Sequence, residues 1–108
     1  MMIVTQIAVL TLKEEPVNGS IPVGLLNAMK SARAHVQEAT GTFFYHFQSI
    51  EDRKKIFVLG EWESIEFHMD VFLKRPENIE KVKSFVEWVD VRNITTIHLD
   101  VRDNGRTT

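Results

Sequence analysis

The sequence predicts an α+β domain of the ferredoxin-like type, in which an antiparallel sheet carries two helices on one face. Two observations favour this fold class. Strand-like apolar runs and helix-like apolar spacings follow one another in the order β-α-β-β-α-β. The 108 residues match the size of one domain, and no repeat, low-complexity tract or linker divides them. We therefore expect one domain over residues 1–102, followed by a polar tail over residues 103–108.

The first strand and the first helix occupy the N-terminal part of the chain. A run rich in Val and Ile predicts a buried strand over residues 3–13, and Pro16–Gly19 predicts a turn. A helix is expected to open at residues 20–22, because an apolar stripe with helical spacing follows. The stripe consists of Leu25, Met29, Ala32, Val36 and Ala39. Gly41 stands where a helix commonly ends in a left-handed residue.

Two further strands are predicted over residues 42–49 and 56–62, joined by a charged hairpin over residues 51–55. In these strands and in the first, the residues that point to either side of the sheet are mostly apolar. A sheet with one solvated face alternates apolar with polar residues. A lone chain would therefore expose a large apolar patch, so we expect two sheets to pack face to face in a homodimer.

The second helix is expected in two pieces. Ser64 is placed to cap the first piece, and Pro76 is placed to begin the second piece at its first helical position. The second piece is expected to bury an apolar stripe made of Ile79, Val82, Phe85 and Val86. A last strand is expected over residues 91–101.

Composition excludes several kinds of function. The net charge of −2 leaves no basic excess to neutralise phosphates, so nucleic acid is not expected as a partner. The absence of cysteine removes thiolate catalysis and iron–sulfur ligation, and no tight metal-ligand spacing occurs, so we expect no metal. The apolar N-terminal run is too short to span a bilayer and lacks a basic start. We expect a cytoplasmic protein without a membrane partner.

Four histidines are the candidates for proton transfer. His35 is expected at the boundary of the first helix, and His98 on a face of the last strand. His46 lies in the aromatic second strand, where it lines a cavity or faces a partner chain. His68 borders the apolar side of the second helix and is the strongest candidate for a pocket residue.

The segment Gly60–Phe72 resembles the antibiotic biosynthesis monooxygenase family, whose members are dimeric α+β barrels. Its strand ends in Trp62, Ser64 follows two residues later, and His68 follows six residues after the Trp. The order of elements matches this family over almost the whole chain. Many members carry a His nine residues after the Trp, and here that position is Val71. His68 matches instead a variant of the family with an earlier His.

The resemblance implies a pocket between the sheet and the helices of each protomer. Gln6 on the first strand is expected to point into it together with Trp62 and His68, the three residues to which the resemblance assigns catalysis. Gly60 is expected to leave room beside the Trp62 ring for a planar ligand. The residues expected to contact the substrate are Tyr45, His46, Met29, Phe67 and Phe72.

The chemistry that the resemblance implies needs little beyond this pocket. Family members include oxygenases without metal or organic cofactor, in which a deprotonated phenol, anthrone or quinol reduces dioxygen. By this resemblance His68 is the base, while Gln6 and the Trp62 indole hold the substrate oxygen. Three alternatives stay open: a polyketide cyclase, a haem-binding or haem-degrading protein, and a non-catalytic dimeric ligand-binding module. Haem is the one cofactor that the resemblance leaves open.

Overall fold

The helices and strands follow one another in the predicted order. The structure is a computed structural model, and it describes residues 4–42, 44–67 and 74–100. Its main elements are β1 (Val4–Thr11), α1 (Val23–Thr40), β2 (Phe44–Gln48), β3 (Lys55–Trp62), α2 (Pro76–Lys83) and β4 (Thr95–Asp100). Among the described residues no helix is long and apolar enough to cross a membrane.

The four strands form one antiparallel sheet in the order β2-β3-β1-β4. β1 lies between β3 and β4, so its side chains have neighbours on both sides. One row of paired residues crosses the whole sheet and consists of Phe44, Gly60, Gln6 and His98. The antiparallel sheet with its two helices confirms the predicted ferredoxin-like fold class.

The first helix packs on the sheet through the predicted stripe. Leu25, Met29, Ala32 and Val36 are buried, whereas Ala39 is exposed because it lies in the last turn, beyond the packed part of the helix. Gly41 ends α1 in the left-handed conformation, with a φ of 72°, and its N–H donates to the Gln37 carbonyl at 2.8 Å. The predicted helix end is therefore confirmed.

The core lies between α1 and the face of the sheet that we call the inner face, formed by Gln6, Ala8, Leu10, Phe44, Ile56, Val58, Gly60 and Trp62. Leu25 and Ile56 are fully buried, and Val89 joins them from the loop after α2. Each such side chain contributes about 1.5–3 kcal/mol by leaving water. The inner face is thus the surface that stabilises the single chain.

The opposite side of the sheet, which we call the outer face, is apolar and largely uncovered. Its apolar residues are Ile7, Val9, Tyr45, Phe47, Phe57, Leu59, Ile97 and Leu99, and the same register places Thr5, Glu61 and Thr95 on this side. The register places Tyr45, Leu59, Ile7 and Ile97 in one row across all four strands. Phe47 is 56% exposed and Ile97 is 49% exposed, so the outer face has no cover within the described chain.

The C-terminal part differs from the prediction in two ways. α2 ends at Lys83, and of its predicted stripe only Phe85 is half-buried, whereas Ile79, Val82 and Val86 are exposed. The buried residue of α2 is the polar Asn78. The predicted strand start at residue 91 is wrong, because Val91–Asn93 forms a 3-10 turn and β4 begins at Thr95.

The 3-10 turn has a local cause. Asp90 is its N-cap residue, and its carboxylate accepts the Arg92 N–H at 3.1 Å. Such a cap stabilises a turn in competition with strand pairing. Ser64 acts in the predicted way, since its hydroxyl accepts the Phe67 N–H at 3.0 Å. The expected tail over residues 103–108 lies outside the described residues.

Candidate functional site

A cavity of about 250 Å³ lies between the inner face of the sheet and the two helices. Most of its wall is apolar and comes from Ala8, Leu10, Ala32, Val36, Val58 and Phe85. The polar groups in the wall belong to Gln6, His35, Trp62, Asn78, Lys81 and Thr96. An apolar cavity with a few polar groups is the usual form of a small-molecule site.

Gln6 and Trp62 form a buried pair in this wall. The Trp62 indole N–H donates to the Gln6 Oε1 atom at 2.5 Å, and the two residues are 6% and 3% exposed. They come together because Gln6 lies opposite Gly60 in the register, and Trp62 follows Gly60 by two residues on the same face. The sequence predicts both as site residues, and the structure places both in one cavity wall.

The indole fixes the orientation of the Gln6 amide. An indole N–H only donates, so the atom that it contacts is the amide oxygen and the amide NH2 group points elsewhere. This NH2 group has no hydrogen-bond partner among the described residues. Every fully buried side-chain nitrogen or oxygen of the described residues has a hydrogen-bond partner. Since the Gln6 NH2 group has none, it is not fully buried, and it is open to the cavity that Gln6 lines. It is a donor available to a ligand oxygen.

The room expected beside Trp62 is filled by a side chain. A Cβ atom added to Gly60 would lie 3.1 Å from the Phe44 ring. Phe44 therefore covers the position where the sequence predicts space for a planar ligand. The absence of a side chain at Gly60 lets this ring pack across the sheet, and the ring forms part of the cavity wall.

His35 joins the cavity through a contact that the sequence does not reveal. Its Nε2 atom lies 2.6 Å from Oδ1 of Asn78, which is 3% exposed. The prediction of a boundary position misses this contact because the partner comes from α2, 43 residues away. The signal for a site was weak: His35 is three residues after the buried Ala32, at the edge of the apolar stripe.

Lys81 reaches the wall from α2. Its Nζ atom donates to the Ser31 hydroxyl of α1 at 2.7 Å, across the gap between the two helices. No aspartate or glutamate belongs to the cavity wall in the part of the chain that the structure describes. The charged group of the wall is therefore a cation.

Three residues predicted to contact substrate lie away from this wall. Met29 is 2% exposed and belongs to the core. Phe67 packs behind Trp62 with the ring centroids 6.4 Å apart. Tyr45 belongs to the outer face and is 43% exposed, because its neighbours in β2 take the inner positions.

His46 is half-buried on the helix side of β2, outside the cavity wall. Burial lowers the pKa of His46 below 6.5, and the nearby positive charges of Arg33 and Lys30 lower it further. His68 and Phe72 lie outside the described residues, so the roles that the resemblance implies for them stay predictions. Within the residues described, no group of three or more His, Cys, Asp or Glu could hold a metal ion.

The sheet order and the cavity beneath its helices define a ferredoxin-like α+β domain with room for a small ligand. Several solved structures share this fold. One is a candidate antibiotic biosynthesis monooxygenase from Bordetella bronchiseptica, with a TM-score of 0.74, 19% identity, and coverage of 93% of this chain and 97% of that chain. The resemblance to the antibiotic biosynthesis monooxygenase family, which the sequence predicted, is therefore confirmed at the level of the fold.

Two other similar structures carry information in their names. SnoaB from Streptomyces nogalater, a cofactor-independent oxygenase, has a TM-score of 0.73 at 9% identity, with coverage of 99% of this chain and 100% of that one. A dimeric protein of unknown function from Bacteroides fragilis has a TM-score of 0.64 at 14% identity, with coverage of 91% and 95%. No protein-family model and no curated protein matches the chain.

Proposed function

We propose that this chain is a small-molecule monooxygenase that acts on aromatic substrates of the phenol, anthrone or quinol type without a bound cofactor. The observation that carries the proposal is the Gln6 amide, which Trp62 orients so that its NH2 group is open to an apolar cavity. The name of SnoaB, a cofactor-independent oxygenase of the same fold, supports the reaction class.

The cavity supplies what such a reaction needs from a protein. Removal of a proton from an anthrone or phenol leaves negative charge on the substrate oxygen. A donor that is already oriented stabilises that charge at little cost in reorganisation, and apolar walls strengthen the interaction by excluding water. In this proposal Gln6 donates to the oxygen, and Trp62 is a positioning residue that holds the Gln6 amide.

The reaction balances without a further reductant. A base takes a proton from the ring CH2 group of an anthrone, and the resulting carbanion transfers electrons to dioxygen. A C–O bond then forms, and loss of water leaves a carbonyl group, so that one oxygen atom enters the product and the other becomes water. We propose His68 as the base, on the family resemblance of its position after Trp62.

We also propose that the working unit is a homodimer joined through the outer face. Six of its apolar side chains are at least 37% exposed in the single chain: Tyr45, Phe47, Phe57, Leu59, Ile97 and Leu99. A contiguous apolar surface of this kind marks an interaction site. The described dimeric state of the similar Bacteroides fragilis protein supports the same arrangement. In this dimer Tyr45 and Phe47 become interface residues.

Oxygen uptake with anthrone and quinol substrates tests the proposed activity. Replacement of one oriented oxyanion donor typically lowers kcat by about a hundredfold or more, and we expect that loss for Gln6→Leu. Gln37→Leu is the matched control, because Gln37 is an exposed glutamine of α1. Thermal unfolding of both variants shows whether the fold is retained. Ligand binding without oxygen uptake in the unmodified protein would contradict the oxygenase proposal and favour a binding module.

A further inference from the structure

The cavity wall carries a positive charge that no described residue neutralises. Lys81 contacts Ser31, and no carboxylate of the described chain lies within ion-pair distance of its Nζ atom. On the same helix, Lys83 is paired with Glu80 at 3.5 Å. Because the described wall also contains no acidic residue, its electrostatic potential favours an anion.

Lys81 and Ser31 together offer two donors to such an anion. The ammonium group has three N–H bonds, and the contact at 2.7 Å to the Ser31 oxygen uses one of them. Since that oxygen accepts from Lys81, the Ser31 O–H bond is left to donate in another direction. Ser31 is exposed, so the pair lies at the rim of the cavity, where the two helices meet.

The rest of the wall requires an apolar ligand body. Val36, Val58 and Phe85 offer no hydrogen bond, and a polar ligand body would lose its hydration there without compensation. At the packing density of protein interiors, about 0.74, a cavity of about 250 Å³ holds roughly 185 Å³ of ligand atoms. A fused bicyclic aromatic acid fits within that volume.

We infer that the ligand of this cavity is an aromatic carboxylate, whose ring system lies between the sheet and the helices and whose carboxylate binds Lys81 and Ser31 at the rim. The inference rests on the proposed function, because it takes the same cavity as the substrate site. It narrows the substrate from aromatic molecules in general to those that also carry an acidic group. Gln6 then contacts an oxygen on the ring system, inside the cavity.

Calorimetric titration with two ligands of equal shape tests this inference. The ligands are 2-naphthoate and 2-naphthalenemethanol, which differ in the carboxylate. We expect the naphthoate to bind about ten times more tightly, as for a hydrogen bond to a charged group. Lys81→Met removes this preference and leaves the alcohol unchanged, while Lys81→Arg retains part of it. Added salt weakens the naphthoate alone.

Two variants control for binding elsewhere. Lys83→Met removes a lysine of the same helix that pairs with Glu80, so it leaves the naphthoate affinity unchanged. Ala32→Leu fills the cavity from α1 and abolishes binding of both ligands. Circular dichroism verifies that each variant is folded. Naphthoate binding that survives Ala32→Leu, or that falls equally in both lysine variants, overturns the inference.

The remaining outcomes separate this inference from the proposed function. Equal affinity for the two ligands overturns the aromatic-carboxylate inference and leaves the oxygenase proposal standing. Binding that depends on Lys81 without oxygen uptake supports the inference and contradicts the oxygenase. If neither ligand binds, the inference is overturned, and the Gln6→Leu assay decides separately about the oxygenase.

Discussion

Neighbouring residues of one strand point to the two faces of the sheet, and these faces differ in how much of their surface is buried. Ile56 and Val58 point inward and are 0% and 5% exposed, whereas Phe57 and Leu59 point outward and are 40% and 37% exposed. Both sets are apolar, so hydrophobicity alone does not separate them. The difference lies in what covers each face: α1 and the loop after α2 cover the inner face, and nothing in the described chain covers the outer face.

This contrast teaches that the chain needs its two faces for different tasks. The apolar residues of the inner face stabilise the folded chain. The polar Gln6 lies among them and forms part of the cavity wall. The outer face is free of that task in the single chain, and the proposed dimer would give its apolar residues a role. The loss of unfolding free energy caused by a substitution should therefore depend on protein concentration for the outer face and not for the inner face.

The largest expected effect is on the free energy of unfolding, and it should differ between substitutions of Ile56 and of Phe57. Ile56→Ala leaves a cavity in the core and should lower the free energy of unfolding by about 2–5 kcal/mol at every protein concentration. Phe57→Ala should lower it by an amount that depends on concentration, because in the proposed dimer Phe57 contributes to association. Urea unfolding at two protein concentrations measures both. The contrast fails if both variants show the same concentration dependence.

Leu59→Lys tests the proposed dimer directly. A lysine at this outer-face position would be buried without a partner in the interface, and we expect the dissociation constant to rise about a hundredfold or more. Sedimentation at several concentrations detects the shift toward a single chain. Lys54→Gln in the β2–β3 hairpin is the control and should leave association unchanged. A wild-type protein that sediments as one chain at all concentrations would contradict the dimer.

The sequence predicts most of the fold because the patterns that determine its helices and strands involve residues close together in the chain. The apolar spacing of α1, the left-handed Gly41 and the Pro76 start of α2 each depend on neighbouring residues, and the structure confirms all three. The resemblance of the segment around Trp62 pointed to the same fold. Because β3 is apolar on both sides, its sequence alone did not show which side faces the core.

The site is harder to predict because its contacts join distant parts of the chain. The contact between His35 and Asn78 spans 43 residues, and that between Lys81 and Ser31 spans 50. Neither pair leaves a local pattern. The direction of Tyr45 was also open, since both sides of β2 are aromatic and only pairing with β3 fixes which side faces the helices.

Trp62→Phe sharpens the role of the inner polar pair. The ring is largely kept and the indole N–H is lost, so the Gln6 oxygen loses its donor, and we expect a loss of about 1–3 kcal/mol in the free energy of unfolding. Oxygen uptake should fall as well, through kcat, because the Gln6 amide is no longer oriented. Trp88→Phe is the matched control, since Trp88 is a half-buried core residue outside the cavity. Equal effects of the two variants on kcat would contradict the positioning role.

The smallest expected effect concerns His46, on the helix side of β2. Burial is the main cause that holds the pKa of His46 below 6.5, and the positive charges of Arg33 and Lys30 add to it. At a pH between the lowered pKa and 6.5, this group therefore binds more protons in the unfolded chain than in the folded one. Stability should therefore fall as the pH decreases below 6.5 and should be constant with respect to this group above it. Proton NMR titration measures the pKa of His46, and Arg33→Gln should raise it only slightly because burial is the larger cause. His46→Gln should remove this part of the pH dependence of unfolding, and a His46 pKa at or above 6.5 would contradict the electrostatic account of β2.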